Sequence, residues 1–349
     1  MNLNRKELLT ALQLAKPGLS KKEFLEEAIR FIFNPHEIAT FNDQICILIP
    51  FETGLKFSAN GDELYKILDG IKEDEVEITV EDEQVKINSK KTRAGLSTIV
   101  GEKERVDTLI SRIRDVTNAK GFWRRLPKNF IEGVSLCMFS ASRDMTTGAY
   151  CCVAVKDDKI YSTDKLRISR FVMDGEVKEL LIPARDAIEL VKYPVTKYGK
   201  SDEWIHFMTN DGVMFNCRTM IGEYPYNLDR FFIPVEGSFT IPEELQDAMK
   251  SAAIMAAGDV DIAKMVEMKI EPGKITCKSE KERGWLIKET DFDGYDGDPI
   301  IFHINPVFFA QILTKTTSIW LRQGEQEPPD KGVFTRDNFT HIIALGKED

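Results

Sequence analysis

The sequence LLIPARDAIELV, residues Leu180–Val191, joins an apolar run directly to an amphipathic one. The apolar run ends at Pro183, and the residues after it repeat with the period of a helix. Ala187, Ile188 and Leu190 fall on or near one face of that helix. The pattern predicts a strand that runs straight into a short helix packed along one side.

The same arrangement of strand and helix occurs in two other places. Gly54–Ala59 leads into Asp62–Ile71, and Ile300–Ile304 leads into Asn305–Leu313. The three helices start near residues 62, 184 and 305, a spacing of about 120 residues. Self-similarity at a fixed period indicates a repeated structural unit.

A second amphipathic helix repeats in phase with the first. Its three copies are Asn4–Ala15, Phe130–Met138 and Leu245–Ala256. Two of these helices are preceded by residues with the spacing of a capping box, Asn4 with Glu7 and Thr240 with Glu243. Helix starts are therefore predicted at equivalent places in the first and third copies.

The order helix, strands, helix, strands occurs three times along the chain. The Asn210-Asp211-Gly212 turn, for example, predicts a hairpin in the second copy. We predict an α+β fold made of three tandem copies of a helix-plus-antiparallel-sheet domain, at residues 1–118, 119–235 and 236–349. Three unrelated α+β domains of similar size are the alternative.

Composition limits the class of protein. Of the 349 residues, 42% are hydrophobic and 30% are charged, which is typical of a globular chain. No apolar run is long enough to span a membrane, and the start, MNLNRKELLTAL, has the pattern of a capped helix rather than a signal peptide. The six cysteines form no CxxC pair, so we expect reduced core thiols in a cytoplasmic protein without a membrane partner.

Metal and catalytic motifs are absent from the sequence. An EF-hand loop counted from Asp291 would need particular residues where Tyr295, Asp296 and Phe302 stand, so Asp291–Asp298 is interpreted as a solvated loop between strands. The four histidines show no ligand spacing; they are His36, His206, His303 and His341. His303 and His341 lie in apolar runs and are expected to be packed or hydrogen-bonded. We predict no catalytic residue, no metal and no cofactor.

Charge and repetition have to be considered together. A net charge of −10 argues, taken alone, against nucleic acid as a partner. Repeated units can, however, form an arc, and two arcs can close into a ring. A ring that encloses DNA is held by its topology, so basic residues are needed only on its inner side. Candidates for that side are Lys6, Lys21, Lys22, Arg124, Arg125, Lys128, Arg143, Arg185, Lys250 and Lys315.

The segment Thr163-Asp164-Lys165-Leu166-Arg167-Ile168 resembles Thr-Asp-Gly-His-Arg-Leu, a motif of the bacterial-type β sliding clamps, the processivity factors of replicative DNA polymerase. Lys165 and Leu166 depart from the motif. Gly222-Glu223-Tyr224-Pro225 resembles the family's Gly-Arg-Phe-Pro. The similarity covers essentially the whole chain in the same three-domain order, and its divergence would suit a clamp encoded by a phage.

The resemblance implies three kinds of site. A pocket for partner peptides would be formed by Thr163, Asp164, Lys165, Leu166, Arg167, Ile168, Pro225, Asn305, Phe308, Ile343, Ala344 and Leu345. DNA would be contacted by Lys21, Lys22, Arg124, Arg125 and Arg143. A dimer interface would contain Ile254 and Met255, facing a strand with Leu96 and with Ala94 where the family has an aromatic.

The resemblance implies a ring-shaped homodimer in the cytoplasm that encircles double-stranded DNA. It would tether the replicative DNA polymerase for processive synthesis, with a clamp loader as a further partner, and would catalyse no reaction. Two other hypotheses remain. One is a monomeric peptide-binding scaffold of the same fold, and the other is an enzyme that uses dispersed carboxylates, with the acidic loop Asp291–Asp298 involved.

Overall fold

The computed structural model describes residues 1–21, 26–81, 83–98, 104–232, 238–258, 260, 263–282, 284–321 and 329–346. Lys22 and the predicted domain boundary at residue 235 lie outside these ranges. The chain divides into two compact units. The first unit contains Met1–Ile131 and Arg185–Met220, and the second contains Glu132–Ala184 and Ile221–Asp349. The division into three domains remains a prediction.

The helices of the described residues are α1 (Arg5–Ala15), α2 (Gly61–Gly70), α3 (Glu104–Thr117), α4 (Phe130–Cys137), α5 (Ala184–Leu190), α6 (Leu245–Met255) and α7 (Pro306–Leu313). The six helices predicted from the repeat are among them: α1, α4 and α6 form one series, and α2, α5 and α7 the other. Both series are therefore confirmed as helices.

Three of these helices start with the same device. Asn4, Asn60 and Asn305 stand immediately before α1, α2 and α7, and each side-chain oxygen accepts hydrogen bonds from two backbone N–H groups of the first turn. Those N–H groups have no partner within the helix, so an asparagine at this position stabilises the helix by about 1 kcal/mol. The capping at Asn4 is confirmed.

The predicted cap at Thr240 is wrong. Thr240 belongs to a short strand and pairs with Ser318, while α6 starts only at Leu245. Glu244 occupies the position before the helix and makes no capping bond through its side chain. Turn hydrogen bonds from Leu245 to Pro242 and from Gln246 to Glu243 delay the start of the helix.

The strands of the first half of the chain are β1 (Asn2–Asn4), β2 (Arg30–Asn34), β3 (Glu37–Phe41), β4 (Ile45–Pro50), β5 (Phe57–Asn60), β6 (Glu75–Glu81), β7 (Gln84–Asn88), β8 (Arg93–Ser97), β9 (Arg124–Arg125), β10 (Cys152–Thr163) and β11 (Arg167–Pro183). Those of the second half are β12 (Val195–Lys200), β13 (Trp204–Thr209), β14 (Met214–Arg218), β15 (Phe239–Thr240), β16 (Val266–Glu271), β17 (Gly273–Lys281), β18 (Gly284–Phe292), β19 (Ile300–Ile304), β20 (Ser318–Leu321), β21 (Lys331–Arg336) and β22 (Phe339–Ala344).

The first unit contains two antiparallel sheets. One has the order β5-β2-β3-β4-β14-β13-β12-β9, and the other has the order β1-β6-β7-β8. Helix α3 packs on the larger sheet through Val106, Ile110 and Ile113, which join a cluster with Phe41 and Trp204. The apolar side of α3 follows from its helical period, and it covers one face of the sheet.

The second unit also contains two antiparallel sheets, ordered β10-β11-β22-β21-β20-β15 and β18-β17-β16-β19. In the larger one, β22 pairs with the start of β11, so that Arg167 lies opposite Ile343 and Phe171 opposite Phe339. In α4, Gly133 leaves room for the ring of Phe171, because a Cβ there would lie 2.5 Å from Cδ1 of that ring. A larger residue would separate α4 from the sheet.

Asp291 and Phe292, the first two residues of the predicted acidic loop, belong to the end of β18, and the remaining residues connect β18 to β19. All six cysteines are described, and each is buried. Their burial confirms the expectation of core thiols. In the part of the chain that the structure describes, every helix is too short or too polar to cross a membrane.

Candidate functional site

The predicted peptide pocket is built around the tight turn between β10 and β11. The Thr163 hydroxyl donates to the Arg167 carbonyl at 2.7 Å and accepts from the Lys165 N–H at 3.0 Å. Asp164 Oδ1 accepts from the backbone N–H groups of Leu166 and Arg167, both at 3.1 Å. The threonine and the aspartate thus fix the turn by local hydrogen bonds, as these residue types do.

Lys165 has a backbone φ of +80°, in the left-handed region. This conformation costs a residue with a Cβ roughly 1–2 kcal/mol per position. The positive φ explains why glycine fits this position of the motif. The turn nevertheless has this conformation with lysine in the position. The Lys165 ammonium lies 4.8 Å from the centre of the Tyr150 ring, a cation–π contact that offsets part of the cost.

Arg167 connects this turn to other parts of the second unit. Its side chain is 4% exposed, and Nε donates to Asp164 Oδ2 at 2.9 Å. Its other nitrogens donate to Gln311 Oε1 on α7 and, at 2.7 Å, to the carbonyl of Phe139. The guanidinium carbon lies 3.9 Å from the centre of the Phe308 ring.

Burial lowers the pKa of Arg167 from its ordinary value, and the carboxylate of Asp164 opposes that shift. A guanidinium remains charged in proteins, so the site holds a buried cation, each of whose three nitrogens donates a hydrogen bond to a protein group. The side chain is therefore a rigid wall of the site rather than a mobile surface charge.

The C-terminal strand supplies the second wall. Ile168 lies opposite Ile342, and the Ala344 N–H donates to the Leu166 carbonyl at 2.9 Å. Ile343 and Leu345 are buried, whereas Ala344 is exposed. The structure thus brings these residues together with the turn, although about 175 positions separate them in the sequence.

The α7 residues of the predicted pocket have different roles. Asn305 is buried and caps α7, accepting from Val307 and Phe308 at 3.0 Å, so its function here is to start the helix. Phe308 places its ring beneath Arg167. Gln311, one helical turn beyond Phe308, was missed by the sequence analysis; its spacing of three residues could have identified it.

Pro225 is half-buried between two tyrosines. The ring of Tyr224 lies 5.4 Å from that of Tyr226 and 6.5 Å from that of Tyr150, which in turn contacts Lys165. A series of aromatic contacts therefore connects the segment of Pro225 to the turn. Tyr150 and Phe139 are further residues that sequence reasoning did not find, because their contacts join distant parts of the chain.

A buried polar network lies behind the two walls. The hydroxyls of Ser140 and Ser169 are 2.7 Å apart, and Ser169 Oγ is 2.8 Å from His341 Nδ1. Burial lowers the pKa of His341 well below its ordinary value, and the charge of Arg167 acts in the same direction. The imidazole is therefore neutral at pH 7. The expectation of a packed, hydrogen-bonded histidine is confirmed.

A cavity of about 450 Å³ lies between α6 and α7 in the same unit. It is lined by Gln311 and Val307, and also by Ile254, but by none of the residues predicted for the peptide pocket. Within the predicted pocket, Leu166 and Ala344 are exposed, and Arg167 is buried against the ring of Phe308.

The residues predicted to contact DNA belong to both units. Lys21, Arg124 and Arg125 are exposed in the first unit, Arg143 is exposed in the second, and Lys22 lies outside the described residues. Lys21 lines a cavity of about 580 Å³ beside the end of α1 and the start of α2. Their contact with DNA remains a prediction.

The residues predicted for the dimer interface are divided between the two units, and Leu96 is buried within its own unit. Ala94 and Leu96 belong to β8, the last strand of its sheet. In the second unit Ile254 is 69% exposed at the end of α6, where its carbonyl accepts a hydrogen bond from Lys281 at 2.9 Å. Lys281 pairs with Gly284 at the start of β18.

Comparison with solved structures places the chain in one fold. It is similar to the β subunit of a DNA polymerase from Streptococcus pyogenes, with 17% identity, 99% of each chain covered and a TM-score of 0.80. For the DNA polymerase III β subunit of Pseudomonas aeruginosa the values are 12%, 100% of each chain and 0.77. For the DNA polymerase sliding clamp of Caulobacter crescentus they are 14%, 99% of each chain and 0.75.

The chain therefore has the sliding-clamp fold over its whole length, and the predicted fold class is confirmed. No protein-family model matches the sequence, and no curated protein sequence matches it. The chain thus shares its fold with these solved structures, although comparison of sequences alone finds no match.

Proposed function

We propose that this chain is a DNA sliding clamp, a ring-shaped homodimer that encircles duplex DNA and tethers a replicative DNA polymerase. The main support is the likeness of the entire chain to sliding clamps, with 99–100% of both chains covered. The loader that opens the ring and the polymerase are its protein partners, and the clamp itself catalyses no reaction.

The mechanism is one of effective concentration. A polymerase tethered to a ring on the template rebinds instead of diffusing away, which raises its local concentration without any new contact to DNA. A closed ring is retained by topology, so a chain with a net charge of −10 can hold DNA as long as exposed basic residues such as Lys21, Arg124 and Arg143 face the duplex.

The peptide site supports the tethering role. Leu166 is 39% exposed above a rigid base in which Arg167 is held by Asp164 and Gln311. A preformed apolar surface with its buried cation already hydrogen-bonded suits a short linear segment that presents apolar side chains. Polymerase and loader would compete for this one surface.

The decisive experiment is the shape and behaviour of the purified protein. Electron microscopy should show an annulus with an opening of roughly 20 Å or more, as needed for B-form DNA. After loading, the protein should stay on circular DNA and leave linear DNA by sliding from its ends. Equal loss from circular and linear DNA would refute the proposal, and a monomer at micromolar concentration would favour the peptide-binding scaffold.

Binding of a peptide from the partner polymerase tests the peptide site separately. The change Leu166→Ser should weaken binding by roughly tenfold, because it removes an exposed apolar anchor. Ile301→Ser is the matched control, since Ile301 is similarly exposed on β19 of the same unit. Fluorescence anisotropy with both variants measures the difference, and an equal effect of the two would reject this surface as the site.

A further inference from the structure

Helices α6 and α7 of the second unit lie side by side and enclose a cavity that the proposed function does not use. Gln246 Nε2 on α6 donates to the carbonyl of Ala310 on α7 at 3.2 Å, so the two helices are in direct contact there. The cavity between them has a volume of about 450 Å³. This volume falls within the range of small-molecule sites, about 300–1,000 Å³.

The cavity is formed by one flank of each helix. On α6 the lining residues Gln246, Lys250 and Ala253 follow each other at intervals of four and three, which places them on the same side of the helix. On α7 the lining residues Ala310 and Thr314 are four positions apart. Ala253 and Ala310 are half-buried and end in a methyl group, so they fill little of the space between the helices.

The lining combines apolar surface with positive charge. Five of its ten residues are apolar, and the other five are two lysines, two glutamines and a threonine. Among the described residues that line the cavity there is no carboxylate, although the whole chain has a net charge of −10. The complementary ligand therefore has an apolar body and an anionic group.

Gln311 contributes a donor whose orientation is fixed. Its Oε1 accepts a hydrogen bond from the Arg167 guanidinium. A guanidinium can only donate, so the oxygen of the Gln311 amide must be the atom that faces Arg167. The Nε2 group, with two N–H donors, is then the end of this lining side chain that remains to bind a ligand.

Lys250 supplies the charge for an anion. Its Nζ lies 3.1 Å from Asp247 Oδ1, and the two side chains are 58% and 79% exposed. An exposed pair of this kind contributes little, so the ammonium can turn to a ligand at small cost. Hydrogen bonds from a lysine to a carboxylate are about twice as strong as those between neutral groups.

We infer that the cavity between α6 and α7 binds a small fatty acid, with the apolar chain between the two helices and the carboxylate held by the donors of the lining, chiefly Lys250. Gln246 and Ala253 are seven residues apart, or about 10 Å along the helix, which suits a chain of the length of octanoate. The inference requires neither a ring nor a partner peptide.

Isothermal titration calorimetry of the full chain with three probes of similar size tests the class of ligand. Octanoate should bind, octanol should bind roughly tenfold more weakly because it lacks the charge-assisted hydrogen bonds, and octylammonium should not bind. No binding of octanoate at millimolar concentration overturns the inference, as does equal binding of octanol. Tighter binding of N-acetyl-leucyl-leucine than of octanoate would assign the cavity to the end of a protein chain and would also overturn it.

A charge variant tests the assignment of Lys250. Lys250→Ala should weaken octanoate binding by roughly tenfold and leave octanol binding unchanged, a difference that general loss of structure would not produce. Lys315→Ala is the matched control, because Lys315 follows α7 but does not line the cavity. An equal effect of the two variants on octanoate overturns the assignment.

A filling variant tests the location. Ala253→Leu should abolish binding of octanoate and of octanol, whereas Ser251→Leu should not, because Ser251 is a half-buried residue of the same helix outside the lining. Circular dichroism establishes that both variants are folded. Octanoate binding that survives in a folded Ala253→Leu overturns the inference, and if this variant does not fold, Lys250→Ala decides.

One variant separates this cavity from the proposed peptide surface. Leu166→Ser should leave octanoate binding unchanged, because Leu166 does not line the cavity. Loss of octanoate binding in Leu166→Ser would place the probe on the peptide surface and overturn the inference. Failure of these tests leaves the proposed clamp function intact, since neither DNA nor a polymerase takes part in them.

Discussion

Arg167 and Asp164 form a buried ion pair whose contribution can be measured. Removing one partner of such a pair leaves an uncompensated charge and typically costs about 3–5 kcal/mol. In Asp164→Ala, Arg167 would keep its bonds to Gln311 and the Phe139 carbonyl, so we expect the lower end, about 3 kcal/mol. Arg167→Met leaves a carboxylate that still accepts from two backbone N–H groups, so a loss of about 1–3 kcal/mol is expected.

The double variant should lose less than the two single variants together, by a coupling of about 1–3 kcal/mol, because it leaves no unpaired charge. Urea unfolding followed by circular dichroism gives the free energies, and hydrogen exchange assigns the affected transition to the second unit. Asp247→Ala is the control, since its ion pair with Lys250 is exposed and should contribute under about 1 kcal/mol. If the stability losses of the two single variants add up to that of the double variant within about 0.5 kcal/mol, the role given to this pair is refuted.

Three further changes test the structure around the site. The pKa of His341 lies well below that of a histidine in the unfolded chain. Below about pH 6.5 the unfolded chain therefore binds more protons, and stability falls by up to about 1.4 kcal/mol for each pH unit by which the pH is lowered. His341→Phe should reduce the pH dependence of the urea midpoint between pH 5 and 7, and an unchanged dependence would contradict this prediction. Gly133→Ala should destabilise the chain by about 1–3 kcal/mol in thermal unfolding through its clash with Phe171, so an unaltered melting temperature would be unexpected. Lys165→Val should be about 1–2 kcal/mol less stable than Lys165→Gly, because glycine tolerates a positive φ and valine does not. Both variants lose the contact with Tyr150, so that loss cancels in the comparison. Equal denaturation curves for the two variants would exclude strain at this turn.

Local signals in the sequence predicted the parts of the fold that local physics determines. Asn4 before an amphipathic helix, and the strand that runs into α5, depend on residues a few positions apart, and both are found in the structure. Thr240 had the right spacing for a cap, yet strand pairing with Ser318 competes for it. The amphipathic character of α3 was hidden among its many charged residues and becomes clear only from its packing on the sheet.

The site was predictable only in part, because most of its contacts join distant positions. The turn from Thr163 to Arg167 follows from hydrogen bonds within five residues. The partners of Arg167 on α7 and at Phe139 depend on tertiary packing, which no local pattern specifies. Likewise, exposure of Trp285 is a property of the sheet edge, and a strand pattern alone does not show which edge is open.

The pairing of β11 with β22 has a consequence for how the chain is made. Arg167 lies opposite Ile343, about 175 positions later in the chain, so this strand pair can form only after all the residues between them have been synthesised. Until then the start of β11 lacks its neighbour on that side. If the proposed peptide surface binds the polymerase, chain order alone would prevent recruitment to a nascent polypeptide that has not yet reached β22.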